Sequence, residues 1–98
     1  MEVEFADDDL DRLETDRRFD AGVGQSVVKG FRKVLQAIRA APDENEFYQL
    51  RRFNFEKLKG NRSHQHSFRL DKQFRLIVEF AGKGRNRVVR IIEIVDYH

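Results

Sequence analysis

Phe74-Arg75-Leu76-Ile77-Val78-Glu79-Phe80-Ala81 is the stretch whose reading decides the fold. Phe74, Leu76, Val78 and Phe80 share one face, with Arg75 and Glu79 on the other, so the period is two and the segment is a strand. The residues before it behave alike: His64, His66, Phe68 and Leu70 alternate with Gln65, Ser67 and Arg69. Asp71-Lys72-Gln73 supplies a short turn between the two runs. After it, Gly82-Lys83-Gly84-Arg85-Asn86 reads as a flexible hairpin loop. Val88–Val95 is then almost continuously β-branched, which suits a central strand covered on both faces. The second half of the chain is therefore a three-stranded meander.

Upstream of residue 50 the period is 3.6. From Gln25 to Ala41, Val27, Val28, Phe31, Val34, Leu35 and Ile38 recur at three- and four-residue steps. Lys29, Arg32, Lys33, Gln36 and Arg39 occupy the opposite face, and Pro42 prevents continuation. Gly22-Val23-Gly24 resembles part of a phosphate loop, but no strand immediately precedes it and no Lys-Ser/Thr follows, so it reads as the start of this helix. Nearer the beginning, Asp7 to Asp9 supply a cap and first-turn acids for a helix that buries Leu10 and Leu13 and ends near Asp16, with Phe19 as an anchor. Val3 and Phe5, alternating with Glu2 and Glu4, form a short strand. Asp43-Glu44-Asn45-Glu46 is a capping-box pattern for a short helix carrying Phe47 and Leu50. Helices grouped beside an antiparallel sheet make an α+β fold, expected as one domain over residues 1–98.

Composition narrows the function. At 98 residues the chain suffices for one core, and 40% apolar residues with nine Phe can fill it. No run approaches the roughly 20 apolar residues of a membrane span, and no secretory leader pattern is present. The absence of Cys removes disulfides, thiolate metal sites and thiol nucleophiles together, and fits a cytoplasmic protein. The formal net charge of +2 hides a dipole. Residues 1–20 carry a net −6 and residues 21–98 a net +8, and from Arg51 to Arg90 twelve Lys/Arg face only Glu56, Asp71 and Glu79.

The basic half holds the candidate chemistry. Arg51, Arg52, Lys57, Lys59, Arg62, Arg69 and Arg75 are interleaved with Phe53, Phe55, Phe68 and Phe74. Cations beside rings that can stack on bases suit a single-stranded RNA groove, against the alternative of a merely solvated face. His64 and His66, two apart on a strand, are expected to share a face, but no third ligand sits nearby, so a metal site is not expected. Ser26, Ser63 and Ser67 lack a nucleophile setting. Asp96-Tyr97-His98 places an acid, a phenol and an imidazole within three residues, all usable in proton transfer.

Three blocks then fall together. Glu56-Lys57-Leu58-Lys59-Gly60-Asn61-Arg62, Ser67-Phe68-Arg69-Leu70-Asp71-Lys72-Gln73-Phe74-Arg75-Leu76 and Ile92-Glu93-Ile94-Val95-Asp96-Tyr97-His98 resemble the HigB branch of the RelE/ParE-type toxins of bacterial type II toxin–antitoxin pairs. The Leu-Lys-Gly, Gln-aromatic-Arg and terminal Asp-Tyr-His motifs keep the family's order over residues 56–98; residues 1–50 match only in architecture. The resemblance implies a RelE-like fold and a metal- and cofactor-independent, ribosome-dependent mRNA endoribonuclease. It also implies a cognate helix-turn-helix antitoxin, through which alone operator DNA would be reached, with the ribosome and mRNA as targets.

By the same resemblance, His98 transfers protons, Asp96 orients it or shares the task, and Tyr97 stacks on a base or hydrogen-bonds the phosphate. Arg75 and Lys59 stabilise developing charge. Arg51, Arg52, Lys57, Arg62 and Arg69 are the expected RNA contacts. The chain departs from the pattern at Glu56, where many relatives carry His, so Glu56 is expected to serve as base or to leave more work to His98. It departs again at the acidic first helix, where relatives often carry Lys; this helix is expected to face away from RNA or toward a basic antitoxin patch. A cleavage-deficient antitoxin- or RNA-binding module and a ParE-type gyrase inhibitor are the alternatives.

Overall fold

The computed structural model describes residues 1–96, apart from the side chain of Arg85. In chain order the elements are β1 (Glu2–Phe5), α1 (Asp8–Thr15), α2 (Gln25–Ala40), α3 (Asn45–Gln49), β2 (Glu56–Lys57), β3 (Gln65–Arg69), β4 (Phe74–Ala81) and β5 (Val88–Asp96). Short 3₁₀ turns at Arg51–Phe53, Gly60–Arg62 and Gly84–Asn86 complete the backbone. The strands form one mixed sheet in the order β1-β5-β4-β3-β2, with β1 parallel to β5 and every other pair antiparallel. The α+β expectation holds.

The helices form for the local reasons the sequence offers. Asp7 caps α1 by accepting from the Leu10 amide at 2.9 Å, and Asp8, Asp9 and Asp11 lie in its first turn, where the helix dipole favours them. The other end of α1 is held by Arg32 of α2, whose guanidinium donates to the carbonyls of Leu13 and Asp16 at 3.1 and 3.0 Å. Arg39 adds a two-pronged pair with Glu14, both bonds 2.7 Å, and that hydrogen-bonded carboxylate raises the guanidinium's pKa further. α2 buries Val27, Val28, Phe31, Val34, Leu35 and Ile38, the stripe read from its periodicity. It packs closely enough on the β3–β4 turn that a Cβ at Gly30 would overlap the Leu70 carbonyl.

α3 corrects one expectation. Its N-cap is Glu44, without a side-chain cap bond, and no capping box forms. Asp43 instead turns the chain locally by accepting from the Asn45 amide at 2.9 Å. The helix still delivers Phe47 to the core, where its ring meets Phe55 and Phe68 edge-on at 5.3 and 5.1 Å. Such pairs add about 0.5–1.5 kcal/mol each beyond their burial.

The sheet brings a second correction. β4, not β5, is its middle strand, and Arg75, Leu76, Ile77 and Val78 are all buried there. β5 lies between β4 and the four-residue β1, and its Arg90 and Glu93 are exposed. The nearly continuous apolar run in β5, interrupted at Arg90 and Glu93, has a different cause. Ile77 pairs with Glu93 and Val78 with Ile91, so Ile92 is one residue too many. This bulge reverses the facing of everything after it: Val89 and Ile91 point to the helices before it, and Ile94 does so after it.

Candidate active site

The site begins at Arg75, on the sheet face away from the helices. The residue is 6% exposed and its guanidinium is fixed from several sides. Nε donates to the Ser67 hydroxyl at 2.9 Å, and Nη2 donates to the Asn54 carbonyl at 2.6 Å. Asn54 presents that carbonyl from a left-handed conformation, φ 43°, which Asn tolerates better than most residues, at the end of the Arg51–Phe53 turn. Glu56, opposite Ser67 on β2, brings a half-exposed carboxylate to 3.5 Å from Nη2. The result is a buried, pre-oriented cation beside an accessible carboxylate.

A small cleft of about 180 Å³, lined by Asn54, Arg69, Asp71, Lys72, Gln73 and Arg75, opens on this group. Its rim is built by Asp71. One carboxylate oxygen accepts from the Gln73 and Phe74 amides at 2.9 and 2.8 Å, and the other accepts from the Ser26 hydroxyl of α2 at 2.7 Å. The Ser26 bond is the chief reason its pKa lies below the usual carboxylate value, the Phe74 amide being next. Gln73 then donates to Asp96 at 2.8 Å, tying the end of β5 to the same rim.

Arg75 pairs with Val95 and Phe74 with Asp96. Asp96 thus sits beside Arg75 along the sheet but on the opposite face, a consequence of the bulge at Ile92. Tyr97 and His98, expected beside it, lie outside the described residues. Lys59 is exposed and caps the turn Gly60–Arg62, directly after β2. Glu56 and Arg75 therefore share the outer face at one end of the sheet, and Asp96 lies at the same end on the other face.

The expected RNA contacts divide. Arg69 and Arg52 line a groove that adjoins the cleft, Arg69 donating to the Asp71 carbonyl at 3.2 Å. Arg51 is exposed on the turn before. Lys57 pairs with His66 on the helix side of β2. Arg62 is engaged elsewhere, donating to Gln65 at 2.8 Å and lying 3.6 Å from Glu93.

The aromatic expectation is corrected outright. Phe53, Phe55 and Phe68 are buried core residues and Phe74 packs half-buried against them, so they are not a base-stacking platform. Removing these rings from water stabilises the fold, which is why they turn inward while the cations beside them stay out. The two histidines also part. His66 packs between Phe55 and Phe80 at ring distances of 5.1 and 5.0 Å. His64 precedes β3 and reaches Glu79 at 3.7 Å, on the other face. Among the described residues no three His, Asp or Glu side chains converge as a metal site.

Sequence reasoning missed Ser67 and Asn54 as holders of Arg75. Ser67 had a signal, being opposite Arg75's neighbours on the same strand face; Asn54 had only its tolerance of positive φ. No helix among the described residues is long and apolar enough to cross a membrane.

Comparison with known proteins bears on the family and the fold. The family described as "RelE-like toxin of type II toxin-antitoxin system HigB" matches residues 3–98. Among solved structures, a YoeB/ParE toxin from Agrobacterium tumefaciens is similar over 100% of both chains, with a TM-score of 0.64 at 19% identity. That likeness shows the fold. No curated protein sequence matches the chain.

Proposed function

The chain belongs to the HigB-like family of RelE-like toxins of type II toxin–antitoxin systems, and from that premise we propose that it is a ribosome-dependent mRNA endoribonuclease. A type II toxin implies a cognate antitoxin. The observation that carries the nuclease reading is the buried Arg75 guanidinium, held by Ser67 and Asn54 beside the accessible Glu56 carboxylate. In-line attack by a ribose 2′-hydroxyl needs a base for its proton, fixed positive charge for the phosphorane oxygens and an acid for the departing 5′-oxygen.

Arg75 meets the second requirement with little reorganisation, because Nε donates to the Ser67 hydroxyl and Nη2 to the Asn54 and Ser67 carbonyls, which fixes the guanidinium plane. Lys59 adds a mobile second charge. Glu56 takes the 2′-hydroxyl proton, and His98 returns one to the leaving oxygen, with Asp96 orienting it and Tyr97 contacting the adjoining base or phosphate. The products are a 2′,3′-cyclic phosphate and a free 5′-hydroxyl, formed without a metal or other cofactor. The ribosome and its mRNA are the partners in this reading, the antitoxin is a helix-turn-helix protein that alone carries the complex to operator DNA, and the site of action is the cytoplasm. Residues 1–98 act as one domain.

The test is a translation extract given wild type or a variant lacking His98. Cleavage of ribosome-bound mRNA by wild type alone supports the reading. Intact mRNA with collapsed DNA supercoiling in cells would replace it with gyrase inhibition, and intact mRNA with unchanged supercoiling would leave a binding module.

A further inference from the structure

The strongest unassigned feature is a groove of about 710 Å³ between α2, the Arg51–Phe53 turn and the β3–β4 turn. Five cations line it: Lys29 and Lys33 from α2, Arg52, Arg69 and Lys72. All five are exposed. Among the described residues no carboxylate lies within ion-pair distance of Lys29, Lys33, Arg52 or Lys72. The groove's one acid, Asp71, is held by Ser26, Gln73 and Phe74 and offsets only one of the five positive charges.

Two relationships identify the occupant. The groove and the cleft at Arg75 share Arg69, Asp71, Lys72 and Gln73, so a polyanion seated at Arg75 continues into the groove over positive ground. The groove's apolar residues, Phe53 and Leu70, are only 4% and 8% exposed. A phosphate backbone needs a row of cations and no apolar anchor, and a row of cations is what the groove offers. We propose that Lys29 and Lys33, with Arg52, Arg69 and Lys72, form a sequence-independent track for the sugar–phosphate backbone of a single RNA strand whose scissile phosphate lies at Arg75. The inference rests on the nuclease reading for the position of that phosphate. It assigns Lys29 and Lys33 of α2 to substrate binding, while Arg32 and Arg39 hold α1.

The test measures binding of the full chain to a fluorescent single-stranded oligonucleotide with 2′-deoxy sugars, which cannot be cleaved, across a salt series. Each phosphate contact on a single strand contributes about 0.7 to the slope of log K against log salt. Lys29→Gln with Lys33→Gln should flatten the slope by about 1.4 and weaken binding at low salt, with circular dichroism unchanged. Lys83→Gln, in the β4–β5 loop, should leave the slope as it is. An unchanged slope in the double variant overturns the proposal. So does loss of affinity for a poly-glutamate peptide with oligonucleotide binding intact, which would assign the groove to an acidic protein segment. Wild type that binds the oligonucleotide through Lys29 and Lys33 yet leaves ribosomal mRNA intact would uphold the track and refute the nuclease reading.

Discussion

Glu56 brings its carboxylate to 3.5 Å from the Arg75 guanidinium, the carboxylate side chain 47% exposed and the arginine almost wholly buried. A carboxylate so placed can reach a substrate proton, while its partner stays fixed. If Glu56 is the base, Glu56→Gln lowers the cleavage rate by about 10²–10⁴. Glu56→His restores much of that rate and moves the acid limb of the pH–rate profile upward, because imidazole titrates higher than a carboxylate. Single-turnover rates against pH on programmed ribosomes check both outcomes.

Arg75→Lys is not a conservative change. Lysine cannot span Ser67 Oγ and the Asn54 carbonyl with one flat group. Loss of one preorganised charge donor costs roughly 10²–10³ in rate. It also leaves the Asn54 carbonyl short of a donor, so the melting temperature falls. A cleavage assay beside a thermal melt separates the two effects, the rate falling far more than the folded fraction.

Much of this arrangement was legible in the sequence, for particular reasons. The Val27-to-Ile38 stripe fixed α2 because six apolar residues repeat at one helical period, and Phe74 to Phe80 fixed β4 because four alternate. The bulge left a mark that is easy to pass over. Arg90 and Glu93 interrupt the Val/Ile run three residues apart, which breaks the strand period of two, but the β-branched residues around them do not name Ile92 as the extra one, and with it went the facing of Asp96. β2 is two residues long, too short for any period. The Phe residues among the Arg and Lys looked like stacking partners because sequence shows alternation in composition but not which side of the backbone is covered. Arg75 was identifiable from its motif, while its holders Ser67 and Asn54 became visible only through the β3–β4 register and the turn at Asn54.

Gly30→Ala should be severely destabilising for so small a change. The added methyl meets the Leu70 carbonyl, which is backbone and cannot swing aside. Overpacking of this kind costs about 1–3 kcal/mol. Denaturant unfolding should report it, and the Ser26–Asp71 bond across the same contact should weaken, seen as an upward shift of the Asp71 carboxyl titration by NMR.

His66 gives the fold a pH dependence. Burial depresses its pKa below 6.5, Lys57 and Arg87 add to the depression, and Glu44 opposes it. Its Nδ1 is buried with no hydrogen-bond partner among the described residues, so protonation there finds no acceptor. The unfolded chain binds this proton more readily than the folded one. The contribution is fully present above about pH 6.5 and is lost as pH falls from there toward the lower, folded-state pKa. His66→Phe should flatten the stability profile in that window, measured by urea unfolding from pH 7.5 to 5.5; an unchanged slope would contradict it.

The central claim, that the Arg75 cleft cleaves mRNA on the ribosome by 2′-hydroxyl attack, meets its most direct test in the ends of the products. Ribosomes programmed with a defined mRNA are treated with the purified toxin in the presence of a metal chelator too weak to strip ribosomal magnesium, and the fragments are analysed by mass spectrometry. The account predicts a 2′,3′-cyclic phosphate on the upstream fragment and a 5′-hydroxyl on the downstream one, both absent with Arg75→Ala. Fragments bearing a 3′-hydroxyl and a 5′-phosphate, or fragments that persist with Arg75→Ala, would contradict it.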